Sequence, residues 1–205
     1  LYTGQKEAAL VVIGMMNPDK EPGDDKEEYV FAVKIPKLLS YLSFRDFNAY
    51  VPGIDDLVFG NKEQGIISTK EKMKMGKNAI ESLKLYKEAK DSGDKSAAEE
   101  HLKKFREIYK YFGYGYFESE LDAIPPVNLT FYSFHIMVGL GFFFIFLFML
   151  IVYNVLKNKI EKKKLLLRLA IISIPLSYLA SQLGWVVAEV GRQPWTIQDI
   201  LPVSA

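Results

Sequence analysis

Two uncharged stretches dominate the pattern of polar and apolar positions. Leu129 to Leu156 runs 28 residues without a formal charge, and Leu169 to Ala188 runs a further 20. A spanning helix needs ~20 apolar residues at 1.5 Å per residue, so each run is long enough to cross a bilayer. Pro175 interrupts the second run and predicts a kink, which a membrane helix tolerates. The connecting segment, Lys157 to Arg168, carries six basic residues and one acid. Short basic loops stay on the cytoplasmic side, so this loop is expected inside and residues 1–128 outside. The resulting division is 1–128 external, 129–156 first span, 157–168 basic cytoplasmic loop, 169–190 second span and 191–205 external tail.

The first 128 residues have another character. Ser68 to Asp91 places Ile80, Leu83 and Leu85 at helical spacing among Lys and Glu, and Asp91-Ser-Gly-Asp94 breaks the pattern. A second helix is expected from a Ser96 cap to about Tyr111, with Glu99 completing a capping box. Phe31–Pro36 and Val51–Leu57 mix apolar residues with turn formers, and are expected at the membrane surface. Tyr111-Phe-Gly-Tyr-Gly-Tyr-Phe117 reads as an aromatic, glycine-rich interfacial loop. The expected fold class is all-α: a membrane helix hairpin carrying a mostly helical extracytoplasmic domain, as part of a larger helical bundle.

Charge sharpens this division. The chain has 26 Lys and Arg against 25 Asp and Glu, a net charge of +1. Residues 1–128 hold net −3 and the remainder net +4, so the whole-chain average describes neither part. The absence of Cys excludes disulfide scaffolds, thiolate zinc sites and iron–sulfur clusters, and two His cannot form a three-histidine metal site. No basic run marks the external part, which argues against a nucleic-acid partner. Leu1 is not an initiator Met, and the chain is expected to be a piece of a longer protein.

Ionisable and metal-binding side chains inside spans are costly and mark candidate sites. In the first span, His135 and Met137 stand two residues apart and face different sides of a helix. A Met thioether is a soft ligand suited to haem iron, and Gly139 and Gly141 leave room for a flat macrocycle beside it. The competing reading puts Met137 in lipid or core and the glycines in helix packing. In the second, Trp185, Glu189 and Arg192 share one helical face. That carboxylate could pair with Arg192, conduct protons or ligate a metal; the plainer reading is an interfacial ion pair beside belt tryptophans Trp185 and Trp195. The antiparallel spans are expected to bring Met137 and Glu189 to similar depth.

Phe134-His-Ile-Met-Val-Gly-Leu-Gly141 and Gly184-Trp-Val-Val-Ala-Glu-Val-Gly-Arg-Gln-Pro-Trp195 together resemble the cytochrome bd quinol oxidase subunit I family. The Glu-x-Gly-Arg-Gln-Pro-Trp run is highly specific, the Met-Val-Gly run less so, and the resemblance covers essentially the whole chain. It implies that residues 1–128 are most of the external quinol-binding loop and that the spans match the family's seventh and eighth. By the resemblance, Met137 is an axial ligand of low-spin haem b, and its His partner lies upstream. Glu189 is the ligand of high-spin haem b near haem d. Trp185 stands by those haems, and Arg192 pairs with a propionate or with Glu189. His135 occupies a position where some members carry Arg, which lowers the positive charge beside the low-spin haem. The family's quinol-binding Lys and Glu fall just before Leu1, and Lys6 and Glu7 do not match their spacing. His101, Asp55 and Asp56 have no expected ligand role.

The resemblance further implies a bacterial inner-membrane, multi-pass respiratory oxidase that takes electrons from quinol outside and reduces dioxygen to water, generating proton motive force. Its implied partners are lipid, quinol, a second oxidase subunit and a small accessory subunit. Residues 1–205 alone are expected to be inactive. The alternative from another class is a non-catalytic sensor or transporter subunit with an extracytoplasmic helical domain, in which Met137 and Glu189 are replaceable.

Overall fold

A computed structural model describes residues 1–205. The fold class is all-α, with six α-helices and three minor two-stranded sheets. Two compact units divide the chain: residues 1–125 with 193–205, and residues 126–192.

The first unit opens with β1 (Gln5–Lys6), β2 (Leu10–Met16) and β3 (Tyr29–Ile35), then α1 (Leu38–Phe44), β4 (Tyr50–Val51) and α2 (Ile54–Phe59). β2 and β3 form an antiparallel hairpin in which Ile13 faces Val33 and Met15 faces Phe31, while β1 pairs with β4. Polar side chains fasten the loops around these short elements. Asp56 accepts hydrogen bonds from the Tyr50 hydroxyl (2.7 Å), the Gly53 N–H (3.0 Å) and the Asn61 amide (2.8 Å). Asp55 accepts from the Gly23 N–H at 2.8 Å. The two aspartates thus hold loops in place.

Next come α3 (Thr69–Asp91) and α4 (Lys95–Ile108), packed on each other. Ser68 caps α3 through Glu71 N–H. Asp94, rather than Ser96, caps α4, its carboxylate accepting from Ala97 N–H at 3.1 Å. Asp94 stands where the chain is still extended, and an ionised cap also answers the positive end of the helix dipole.

The glycine-rich aromatic segment is part of the core and not a loop. Tyr109–Tyr116 forms a 3-10 helix running straight on from α4. A Cβ on Gly76 of α3 would lie 2.3 Å from the Gly115 nitrogen, so the two backbones touch only because both residues are glycine. That approach seats Met73, Tyr114 and Phe117 around Trp195, all at most 8% exposed. Trp195 begins β5 (Trp195–Ile197), which pairs with β6 (Leu201–Pro202). Residues 193–205 thus belong to this unit, with Trp195 and Pro202 buried in it.

The second unit is the helix pair α5 (Val127–Leu156) and α6 (Lys164–Val190), each long and apolar enough to cross a membrane. α6 begins at Lys164, so the non-helical connection is shorter than the basic segment and contains a 3-10 turn at Ile160–Lys162. Pro175 lies inside α6. Beside it, Ser173 and Ser177 hydroxyls donate to the carbonyls of Ala170 (2.6 Å) and Ile174 (2.7 Å). These are side-chain bonds back to the preceding turn, on either side of the proline.

Candidate functional site

The register of α5 against α6 fixes where the singled-out residues stand. Leu147, Ser133 and Ser173 are buried, although most of both helices is exposed. Near the other end of the pair the contacts involve glycines. A Cβ on Gly184 would meet the Met137 Sδ at 3.0 Å, and one on Gly191 would meet the Thr130 methyl at 3.4 Å. Thr130 is therefore level with Gly191, and Met137 with Gly184.

By this register Glu189 is level with Tyr132. It lies five residues beyond Gly184, about 7.5 Å along the axis from the level of Met137. The two residues share the same end of the hairpin but not one layer, which corrects the expectation of similar depth. Glu189 and Arg192 form an ion pair of 2.5 Å at i, i+3, with both side chains partly exposed. Trp185, four residues before Glu189, is 64% exposed.

His135 turns away from this seam. Its ring lies against Phe131, tilted by 35° with 3.9 Å between centroids, and Nδ1 lies 2.7 Å from the Phe131 carbonyl oxygen. A carbonyl only accepts, so Nδ1 carries a proton here. The imidazole is thus oriented by the preceding turn of its own helix, on another face from Met137.

Met137 and Glu189 carry donor atoms whose chemistry suits a haem iron, a thioether and a carboxylate. No group of three or more His, Cys, Asp or Glu side chains is placed to hold a metal ion. Met137 supplies a thioether set against a position without a side chain, a cradle that a Cβ at Gly184 would fill. Around Gly139 and Gly141, by contrast, a Cβ would meet nothing within 4 Å. Glu189 supplies a carboxylate whose charge Arg192 balances.

The whole chain, residues 1–205, matches the family described as cytochrome bd terminal oxidase subunit I. The chain belongs to that family. It is 32% identical over 199 residues to the cytochrome bd-II ubiquinol oxidase subunit 1 of Escherichia coli strain K12, covering 88% of this chain and 36% of that protein. It is 39% identical over 98 residues to the cytochrome bd ubiquinol oxidase subunit 1 of Bacillus subtilis strain 168, covering 48% of this chain and 20% of the relative. The chain thus spans about a third, or less, of the length of these subunit I relatives.

Two features of this subunit I chain escaped sequence reasoning. Trp195, read as a candidate belt residue, is 5% exposed in the core of the first unit. Beside it stand Lys72, Tyr114 and Asp199, which no local pattern linked. The Tyr114 hydroxyl donates to Asp199 Oδ1 at 2.8 Å across 85 residues of sequence. The signal that could have found them is the pair of glycines at 113 and 115. Bracketing one aromatic residue, they mark a backbone that something approaches closely.

Proposed function

We propose that this chain forms the external loop region and two spans of a respiratory quinol oxidase subunit in a bacterial cytoplasmic membrane. The parent enzyme oxidises quinol at the outer face, passes electrons through haems b to haem d, and reduces dioxygen to water. Residues 1–128 lie outside and the basic connection inside, as the lysine-rich segment favours. Lipid, quinol, a second oxidase subunit and a small accessory subunit complete the system. The observation that carries this reading is the Gly184–Trp195 motif, whose Glu189 and Arg192 pair at the same helix end where Met137 seats against Gly184.

Met137 is the residue for the low-spin haem b iron and Glu189 for the high-spin haem iron, with Trp185, Arg192 and His135 beside the macrocycles. Bound haem supplies one-electron transfer and, at haem d, the dioxygen chemistry. The chain's own residues bind and tune. A thioether ligand favours the reduced iron and raises its potential, which suits electron acceptance from quinol. Arg192 offsets the carboxylate charge that a low-dielectric span would otherwise penalise. Gly184 keeps the Met137 sulfur free of steric pressure from α6.

The test is the reduced-minus-oxidised absorption spectrum of the full-length protein in membranes. Met137→Leu keeps the volume and removes the sulfur, so the low-spin b signal is expected to disappear while the protein still accumulates. An unchanged spectrum removes Met137 from its role.

A further inference from the structure

A groove of about 840 Å³ opens on the first unit between α3 and the segment Glu118–Leu121, with Val58 and Phe59 of α2 also in its lining. We propose that it holds the headgroup of a zwitterionic aminophospholipid, with the phosphate on lysines of α3 and the amine on the glutamates opposite. The inference rests on the reading of α5 and α6 as membrane spans, and it names the lipid class and the residues that meet it.

One wall is basic. Lys70, Lys74 and Lys77 line the groove and recur at i, i+4 and i+7, so they stand on one face of α3 over about 10 Å. All three are exposed, and none makes an ion pair within the chain. Like charges at this spacing repel one another on a helix. An anion set among them removes that repulsion.

The other wall is acidic and held in place. The Asp122 carboxylate accepts from the Glu118 N–H at 3.0 Å and the Ser119 N–H at 2.8 Å, and the Ser119 hydroxyl accepts from the Leu121 N–H at 3.3 Å. Asp122 and Ser119 are thus spent on the backbone, while Glu118 and Glu120 line the groove. Neither glutamate forms an ion pair with the lysines opposite. A simple phosphate would satisfy the lysines and leave the two carboxylates uncompensated. A headgroup whose primary ammonium is two carbons from its phosphate ester oxygen complements both walls.

Apolar side chains make the ligand a lipid and not a soluble phosphate. Phe59 and Leu121, both in the lining, are 55% and 53% exposed, above the buried Val58 and Met73. An acyl chain covers the two exposed side chains, which water would otherwise meet. The chain itself keeps the groove near such a ligand. Leu121 precedes Val127, where α5 begins, by six residues, a reach of at most about 20 Å. The groove is therefore tethered close to the lipid layer that α5 enters.

The experiment uses the full-length oxidase complex, stripped of lipid in detergent. It is titrated with phosphatidylethanolamine, phosphatidylglycerol or chain-free glycerophosphoethanolamine under native mass spectrometry. The parent is expected to bind phosphatidylethanolamine about tenfold more tightly than phosphatidylglycerol, and the chain-free compound far more weakly. Lys74→Gln combined with Lys77→Gln is expected to lose about tenfold in affinity for both lipids. Glu118→Gln combined with Glu120→Gln is expected to remove the preference between them. Haem spectra of both variants stay as in the parent. Equal affinity for phosphatidylethanolamine in the parent and the lysine variant overturns the site. So does a parent that shows no preference, or one that binds the chain-free compound as tightly as the lipid. A parent recovered outside the membrane fraction overturns the reading of α5 and α6 as spans, and the site with it. Should the variants not assemble, phosphatidylethanolamine with a diazirine high on one acyl chain is photolysed in the parent complex. Label on the peptides carrying Phe59 or Leu121 supports the site, and label only elsewhere overturns it.

Discussion

Replacing Gly184 tests the seating of Met137 more finely than replacing Met137 itself. An alanine Cβ would stand 3.0 Å from the sulfur, against an optimal separation of about 3.5–4.0 Å for carbon atoms. Half an ångström or more must be found by moving Met137 or parting the helices. The intrinsic gain from removing a mid-helix glycine is about 1 kcal/mol, and overpacking costs about 1–3 kcal/mol. The net cost is then about 0–2 kcal/mol, at the low end because the atom met is in a flexible side chain, so Gly184→Ala is expected to accumulate while displacing the sulfur. Gly184→Leu cannot be absorbed this way. In reduced-minus-oxidised spectra of the full-length protein, alanine is expected to weaken or shift the low-spin b band and leucine to abolish it. Gly139→Ala and Gly141→Ala are the controls, because a Cβ there meets nothing within 4 Å; Met137 stays where it is. A normal low-spin band in Gly184→Leu would show that the sulfur's position against α6 does not matter, and the reasoning would fall.

Two further predictions concern the first unit. Gly113→Ala drives a Cβ to 2.6 Å from the Trp195 ring and 2.8 Å from the Asp199 carbonyl oxygen. The result expected is a loss of about 2–3 kcal/mol, read as a lower unfolding temperature by tryptophan fluorescence, and an unaltered Tm would refute it. Near the β2–β3 hairpin, the Lys20 ammonium 2.6 Å from Asp24 holds that carboxyl down at about 2. A depressed carboxylate stabilises fully above its ordinary value of 3.8 and loses that contribution as pH falls through about 2. Carbon-13 NMR of labelled Asp24 is expected to titrate near 2, whereas a midpoint near 4 would mean that the ion pair does not form in solution.

What the sequence revealed follows from the range of the interaction involved. The helices α5 and α6 were legible because a long uncharged run is a property of adjacent residues, and the Glu189–Arg192 pair because i, i+3 neighbours meet on any helix. The register between the helices was not, since it depends on which small residue receives which side chain. Met137 against Gly184 and Thr130 against Gly191 set it, and they separate Met137 from Glu189 by a turn and more. The β2–β3 hairpin stayed hidden for a related reason. Leu10–Met16 is an unbroken apolar run without the alternation that marks a half-exposed strand, yet Ile13 and Met15 are exposed.

Trp195 shows the limit most clearly. Its place six residues after Glu189 suggested the membrane boundary, but its ring packs at 4.9 Å on Tyr114 and 5.2 Å on Phe117. One short motif therefore serves two units: Glu189 and Arg192 end the helix pair, and Trp195 anchors the core beside which Lys72 and Asp199 stand. A substitution at Trp195 would therefore remove core packing in the first unit, whereas Tyr114→Phe and Lys72→Met leave the Trp195 packing intact.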